Sequence, residues 1–218
     1  SKGYSDEILK ATGLFSIKET DTRDYFWNRV MFPIMDSRSR VIAFGGRVMG
    51  DGEPKYLNSP ETVAFEKRKT LFGLHIAKKH KGGELILCEG YMDVISLHQA
   101  GFSNAVASLG TALTPGHAAV LHRFTSRVVL SYDSDQAGTN AAVRAIPILR
   151  GAGISVRVIN LSPYKDPDEL IRAEGGEAFS KRLEDAENSF FFELSVLQQG
   201  YRMKDPEERT RFFMECER

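Results

Sequence analysis

The chain has 218 residues, 42% hydrophobic and 27% charged, a composition that suits a folded globular protein with one sizeable core or two small ones. No apolar run approaches the roughly 20 residues that would cross a bilayer, and Ser1-Lys2-Gly3-Tyr4 has no signal-peptide pattern, so no membrane partner and a cytoplasmic location are expected. The formal charge is zero but unevenly spread: residues 1–82 hold 15 Lys+Arg against 10 Asp+Glu, and residues 83–218 hold 14 against 19. A basic part beside an acidic part suits a site where cations hold phosphates and carboxylates hold metal, although solvated faces would give the same split. Cys88 and Cys216 lie far apart and form no C-x-x-C, which argues against a disulfide framework or a zinc ribbon. The chain does not open on methionine and is expected to be part of something longer.

In chain order, the first half is irregular. Arg29-Val-Met-Phe-Pro-Ile34 and Arg40-Val-Ile-Ala-Phe44 read as strands, separated by turns at Asp36-Ser-Arg-Ser39 and Gly50-Asp-Gly52. That predicts a small α+β unit on antiparallel strands, ending at the break Lys81-Gly82-Gly83. From Glu84 the pattern alternates between β-rich apolar runs and helical segments, the mark of a parallel α/β sheet. Glu84–Cys88 is a buried strand and Tyr91–Ala100 a helix closed by Gly101. Asn104–Ala107 is a second strand, followed by a helix from Thr114, whose hydroxyl can cap it with Pro115 in the first turn. Arg127–Tyr132 is a third strand, Gly138–Leu149 a helix despite Pro147, and Ile154–Ile159 a fourth strand. Beyond Asp168 the pattern is helical.

Ligands of open parallel sheets sit beyond the carboxyl ends of the strands. Glu89 follows the first strand directly, and Asp133 and Asp135 follow the third. Alternate residues of an extended segment face one side, so both aspartates are expected to reach one point with Ser134 turned away. Carboxylates packed together repel, and burial pushes protons back onto them, unless a cation neutralises them. Magnesium prefers such oxygens and leaves positions for phosphates. Asp133 and Asp135 could also serve as an Asx-turn, and in Lys165-Asp166-Pro167-Asp168-Glu169 helix capping competes with metal binding. The five histidines show no metal spacing; His117 and His122, five apart, are read as structural.

Strand-Glu-Gly, strand-D-x-D-x-x-G and strand-D-P-D at one sheet edge resemble the TOPRIM domain of primases, topoisomerases and some nucleases. The resemblance sharpens to the RNA polymerase domain of bacterial DNA primases. Glu89-Gly-Tyr-Met-Asp-Val94, Ala107-Ser-Leu-Gly-Thr111 and Tyr132-Asp-Ser-Asp-Gln-Ala-Gly138 are similar to its TOPRIM motifs. Arg29-Val-Met-Phe-Pro-Ile34, Phe44-Gly-Gly-Arg47 and Lys55-Tyr-Leu-Asn-Ser-Pro-Glu-Thr62 are similar to motifs of its N-terminal subdomain. The fold class this implies is α/β: a TOPRIM parallel sheet flanked by helices (83–180), preceded by a basic α+β subdomain (1–82) and followed by the start of a helical subdomain (181–218).

The function implied is DNA-dependent synthesis of short RNA primers from ribonucleoside triphosphates on a single-stranded DNA template, with Mg²⁺ or Mn²⁺ and without zinc in this segment. By position, Glu89, Asp133 and Asp135 carry over as catalytic and metal-binding acids, and Asp166 and Asp168 as further metal-cluster residues. Arg29, Lys55, Tyr56, Asn58 and Lys67 carry over to nucleotide or nucleic-acid binding; Asp93 stands in the matched E-G-Y-x-D segment without a specified role. In such primases a zinc-binding domain precedes this region and a domain for the replicative helicase follows it. Neither fits in this chain. Rival readings are a topoisomerase or nuclease of the TOPRIM class, a haloacid-dehalogenase-type phosphatase that would expect D-x-D-x-[TV], and a non-catalytic nucleic-acid-binding module.

Overall fold

The computed structural model describes residues 3–18, 21–80 and 83–216, so the expected break at Lys81-Gly82 lies outside the described residues. The chain opens with α1 (Asp6–Thr12), begun by Ser5 as N-cap and stopped by Gly13 at φ 66°, a conformation that suits glycine. A hairpin of β1 (Phe15–Lys18) and β2 (Asp21–Asp24) follows. Next comes an antiparallel sheet in the order β3 (Arg29–Met35), β4 (Val41–Val48), β5 (Tyr56–Asn58). A short helix α2 (Leu74–Ala77) leads into the second half.

There the expected alternation of strand and helix is realised: β6 (Glu84–Cys88), α3 (Tyr91–Gln99), β7 (Ala105–Ala107), α4 (Pro115–His122), β8 (Arg127–Ser131), α5 (Gln136–Gly151), β9 (Ser155–Val158) and α6 (Pro167–Glu184). Strands β9, β8, β6 and β7 lie side by side and parallel, and the two-residue β10 (Glu187–Asn188) adds an antiparallel edge. Helices α7 (Ser189–Gln198) and α8 (Pro206–Cys216) close the chain. Among the described residues no helix is long and apolar enough to cross a membrane.

Both faces of the parallel sheet are covered, which is why its strands read as unbroken apolar runs. Leu85 and Leu87 of β6 point with Val128 and Leu130 of β8 toward α4 and α5, where Leu121, Ile146 and Leu149 meet them. The alternate residues Ile86, Cys88 and Val129 point the other way, toward Leu97 of α3 and Leu170 and Phe179 of α6. A third cluster of Ile34, Ala43, Phe65, Tyr91 and Leu109 joins the antiparallel sheet to this unit. Tyr91, the first residue of α3, is the peg: its ring meets Phe32, Tyr56 and Phe72 at centroid distances of 5.0, 5.4 and 5.5 Å.

A second joint is polar. His117 is fully buried; its Nδ1 accepts from the Thr114 amide at 3.2 Å, and its Nε2 donates to the Lys67 carbonyl at 2.7 Å. That pattern needs the neutral ring protonated on Nε2, and burial correspondingly pushes its pKa down. The Thr114 hydroxyl adds a bond to the Arg68 carbonyl, so the basic stretch 65–70 is fastened to the start of α4 through its backbone. The structural reading of His117 therefore holds. His117→Leu leaves two buried partners unpaired, each worth about 1–3 kcal/mol, and urea unfolding should show a loss of about 2–6 kcal/mol.

Candidate active site

The site forms where β6 and β8 end. Glu89 follows β6 at once, and its Oε1 accepts from the Asp133 amide at 3.1 Å, tying the two strand ends together. The chain approaches very closely here: a Cβ on Gly138 would stand 2.1 Å from the Asp133 carbonyl oxygen and 2.8 Å from Glu89 Oε1. Ser134 is exposed and turned toward the loop after β9. Its amide donates to the Lys165 carbonyl at 2.8 Å and its hydroxyl to the Tyr164 carbonyl at 2.6 Å. These two bonds bring the loop after β9 against the loop after β8, and with it Asp166 and Asp168.

A cavity of about 390 Å³ opens over this edge. Glu89, Asp93, Asp133, Asp166 and Asp168 form its acidic wall. Arg47, Lys55, Tyr56 and Asn58 of the antiparallel sheet form the opposite wall, with Lys165 and Arg172 at the side. The sheet can approach because Phe44-Gly45-Gly46-Arg47 carries no side chains at its centre: a Cβ on Gly45 would meet Asn58 and Tyr91 at 3.0–3.2 Å, and one on Gly46 would meet Arg29 and Phe26 at 2.9 Å.

Crowding of carboxylates shows in their protonation. Burial, then the charges of Glu89 and Asp166, push Asp133 up to about 6. Asp93, which bonds back to the Gly90 amide at 3.2 Å, is pushed up to about 7 by burial and then by Asp166 and Asp133. Such shifts are what a desolvated group of like charges produces, and a nearby cation reverses them. The Lys165 ammonium lies 4.0 Å from Asp133 Oδ2 and works against the rise.

The other sequence candidates are distributed as follows. Asp135 does not line this cavity; its Oδ1 caps α5 by accepting from Gly138 N at 2.8 Å. Period-two alternation does not extend to it, because β8 ends at Ser131 and α5 already begins at Gln136. Asp166 caps α6 by accepting from Glu169 N at 2.8 Å and still lines the cavity, so capping and site placement coexist. Asp168 pairs with Arg172 at 2.6 Å. Arg29 opens β3 and donates to the Pro54 carbonyl at 2.7 Å, and neither it nor Lys67 lines the cavity. Asn58 acts on the site's shape, donating to the Leu109 carbonyl at 3.0 Å. Tyr56 packs edge-on against Tyr91 with Arg47 5.7 Å from its ring centroid. Sequence reasoning did not single out Arg47, Lys165 or Arg172; only the glycine pair before Arg47 hinted that its neighbourhood is crowded.

Among the described residues, no three His, Cys, Asp or Glu side chains already stand at metal-ligand spacing. The donor set itself is all oxygen, anionic and mutually repelling, which fits a hard divalent cation.

Comparison with known proteins agrees with this geometry. Residues 1–78 match the family described as "DNA primase catalytic core, N-terminal domain", and residues 86–171 match the Toprim-like family. The DNA primase of Clostridium acetobutylicum is 47% identical over 95% of this chain, which spans 35% of that relative's length. A DNA primase domain from Pseudomonas aeruginosa superposes with a TM-score of 0.87 at 41% identity, covering 96% of this chain and 69% of that one. A DnaG primase catalytic domain bound to single-stranded DNA gives 0.84 at 42% identity, over 94% of this chain and 66% of that one. The α/β architecture, the parallel TOPRIM-type sheet and the similarity across both halves agree: the chain belongs to the catalytic-core family of bacterial DNA primases.

Proposed function

We propose that this chain carries the nucleotidyl-transfer site of a primase, joining ribonucleotides into a short RNA primer on a single-stranded DNA template. The observation that carries this reading is the cavity with an acidic wall from strand ends and a basic, aromatic wall from a separate sheet. An incoming triphosphate brings several negative charges. Lys55, Arg47, Lys165 and Arg172 lie around the same space to neutralise them, the arginines by paired N–H groups and the lysines as mobile point charges. Tyr56, 40% exposed, offers a face to a base or ribose, and Asn58 holds the 108–111 loop in place. Arg29 and Lys67, set back from the cavity, suit the path of the nucleic-acid backbone.

A magnesium or manganese ion held by Glu89, Asp133 and Asp168, with Asp135 and Asp166 in support, would neutralise the reacting phosphate and lower the pKa of the attacking hydroxyl. The protein's part is to keep these acids ionised and converging while the basic wall fixes the triphosphate in line.

Protonation sets a pH dependence. Asp133 at about 6 and Asp93 at about 7 lie above the ordinary carboxylate range, so in the metal-free chain they favour the folded state below their unfolded pKa and lose that contribution as pH rises toward 7. Metal binding runs the other way, because Asp133 must first release its proton. Mn²⁺ affinity should fall by about tenfold per pH unit below pH 6, and calorimetry from about pH 5 to 8 should show it. A flat affinity would remove Asp133 from the site.

The function is tested by RNA synthesis on single-stranded DNA, in the catalytic core carrying Lys55→Ala. The expected result is a rise in KM for the triphosphate of about tenfold, with single-stranded DNA affinity that still declines as salt rises. Absence of RNA synthesis by the unsubstituted core, with DNA binding that Lys55→Ala weakens, would favour a binding module over an enzyme.

A further inference from the structure

A second cavity adjoins the first across Glu89. It measures about 410 Å³, within the range of about 300–1,000 Å³ usual for small-molecule sites, and lies between the 108–113 loop and α5. Glu89, Ser108 and Gly110 line both cavities, so Glu89 stands in the wall between them. The two differ in chemistry. Four cations border the first, but only Arg144 borders the second. Its remaining surface is largely apolar, because α5 turns Ala137, Ala141, Ala145 and Ile148 toward it at helical spacing, with the Tyr132 ring at one side. Thr111 lines this cavity and its hydroxyl, just behind the surface, is buried without a hydrogen-bond partner, whereas Ser108 is satisfied by the Thr111 carbonyl at 2.8 Å. A buried hydroxyl without a partner is costly unless a ligand supplies one.

Nucleotidyl transfer needs two nucleotides. The first offers an α-phosphorus and carries the triphosphate charge. Once the primer is growing, the second brings only a 3′-hydroxyl, a ribose, a base and its one 5′-linked phosphate. We infer that the cavity between the 108–113 loop and α5 seats this second nucleotide, the 3′-terminal ribonucleotide of the growing primer. Its base lies against the alanine face of α5, its 5′-phosphate near exposed Arg144, and its 3′-hydroxyl faces Glu89. The inference rests on the reading under Proposed function and adds to it the place of the acceptor. The bond formed joins the 3′ oxygen to the α-phosphorus, the bond from that phosphorus to the β-bridging oxygen breaks, pyrophosphate leaves with the electron pair, and the hydroxyl proton passes to water.

The test uses equilibrium dialysis of the 218-residue chain with Mn²⁺, with the diribonucleotide ApA as acceptor probe and ATP as triphosphate probe. The chain should bind both at once. Ala141→Phe fills the second cavity without touching the first, and should weaken ApA by about tenfold or more while ATP changes by no more than about twofold. Because a larger side chain on α5 could disturb packing, Arg144→Glu on the exposed side provides a second variant, with weaker ApA binding expected and ATP again unchanged. Competition between ApA and ATP for one site would overturn the proposal, as would ApA affinity unmoved by both variants. If ATP fails to bind the unsubstituted chain, the polymerase reading falls, whereas the ApA measurements still decide whether α5 forms a nucleotide seat.

Discussion

Glu89→Gln is expected to lower primer synthesis by about 10²–10³-fold while leaving the fold intact. The reason is that glutamine preserves the local bond and removes only the charge. Its side-chain oxygen can still accept from the Asp133 amide, which Glu89 meets at 3.1 Å, so the two strand ends stay tied. The carboxylate's charge is a leading cause, after burial, of the raised Asp133 pKa. Without it, Asp133 should titrate closer to the ordinary carboxylate range, and the metal-free chain should unfold at the same or a slightly higher temperature. Activity and stability thus move in opposite directions, a pattern that simple misfolding would not give. The check pairs RNA synthesis with thermal unfolding in metal-free buffer; equal loss of both would show that Glu89 is structural.

Gly138→Ala should disable the site through the backbone. Alanine is the better helix former by about 1 kcal/mol, so propensity alone predicts stabilisation in α5. Space decides otherwise. The added methyl would lie 2.1 Å from the Asp133 carbonyl oxygen and 2.8 Å from Glu89 Oε1, and the first of these is backbone that cannot rotate away. Relief requires α5 to withdraw from the strand end, at about 1–3 kcal/mol, and moves Asp133 relative to Glu89. Gly151 in the same helix is the internal control: a Cβ there meets nothing within 4 Å. Gly151→Ala should leave stability level or raise it, with full Mn²⁺ binding, whereas Gly138→Ala should lose both stability and Mn²⁺ affinity. If the two variants behave alike, the close approach is not what shapes the site.

How much of this was legible beforehand depends on the range of the interactions involved. The buried parallel strands were readable because both faces are covered, leaving unbroken apolar runs between polar breaks. The start of α4 was readable because Thr114 and Pro115 are local signals, and the Thr114 hydroxyl does accept from His117 N at 3.1 Å. Elements held by partners further along the chain were not foreseen: the three-residue β5, and β10, whose two residues pair with Arg157 and Val158. The local β1–β2 hairpin was missed too, its short polar strands lacking an apolar run. Helix α6 bends at Gly175, with φ 82°, which its near-featureless polarity pattern did not announce.

The acidic wall followed from a rule about strand ends, and Glu89, Asp133, Asp166 and Asp168 do converge. Asp135 was placed beside them by alternation, and the chain had already left the strand. The basic wall was harder, because Arg47 reaches the cavity only through packing of a separate sheet on Tyr91, and Arg172 only through the direction in which α6 leaves its cap. Arg29 and Lys67 carry over from the same family yet stand back from the cavity.

The central claim is that acids from separate strand ends share one divalent cation. Its most direct measurement is calorimetric titration of Mn²⁺ at about pH 8, where Asp133 is ionised, into the chain and into Asp133→Asn/Asp168→Asn. Saturable binding by the chain and its loss in the double variant is the predicted result; equal binding by both would contradict it.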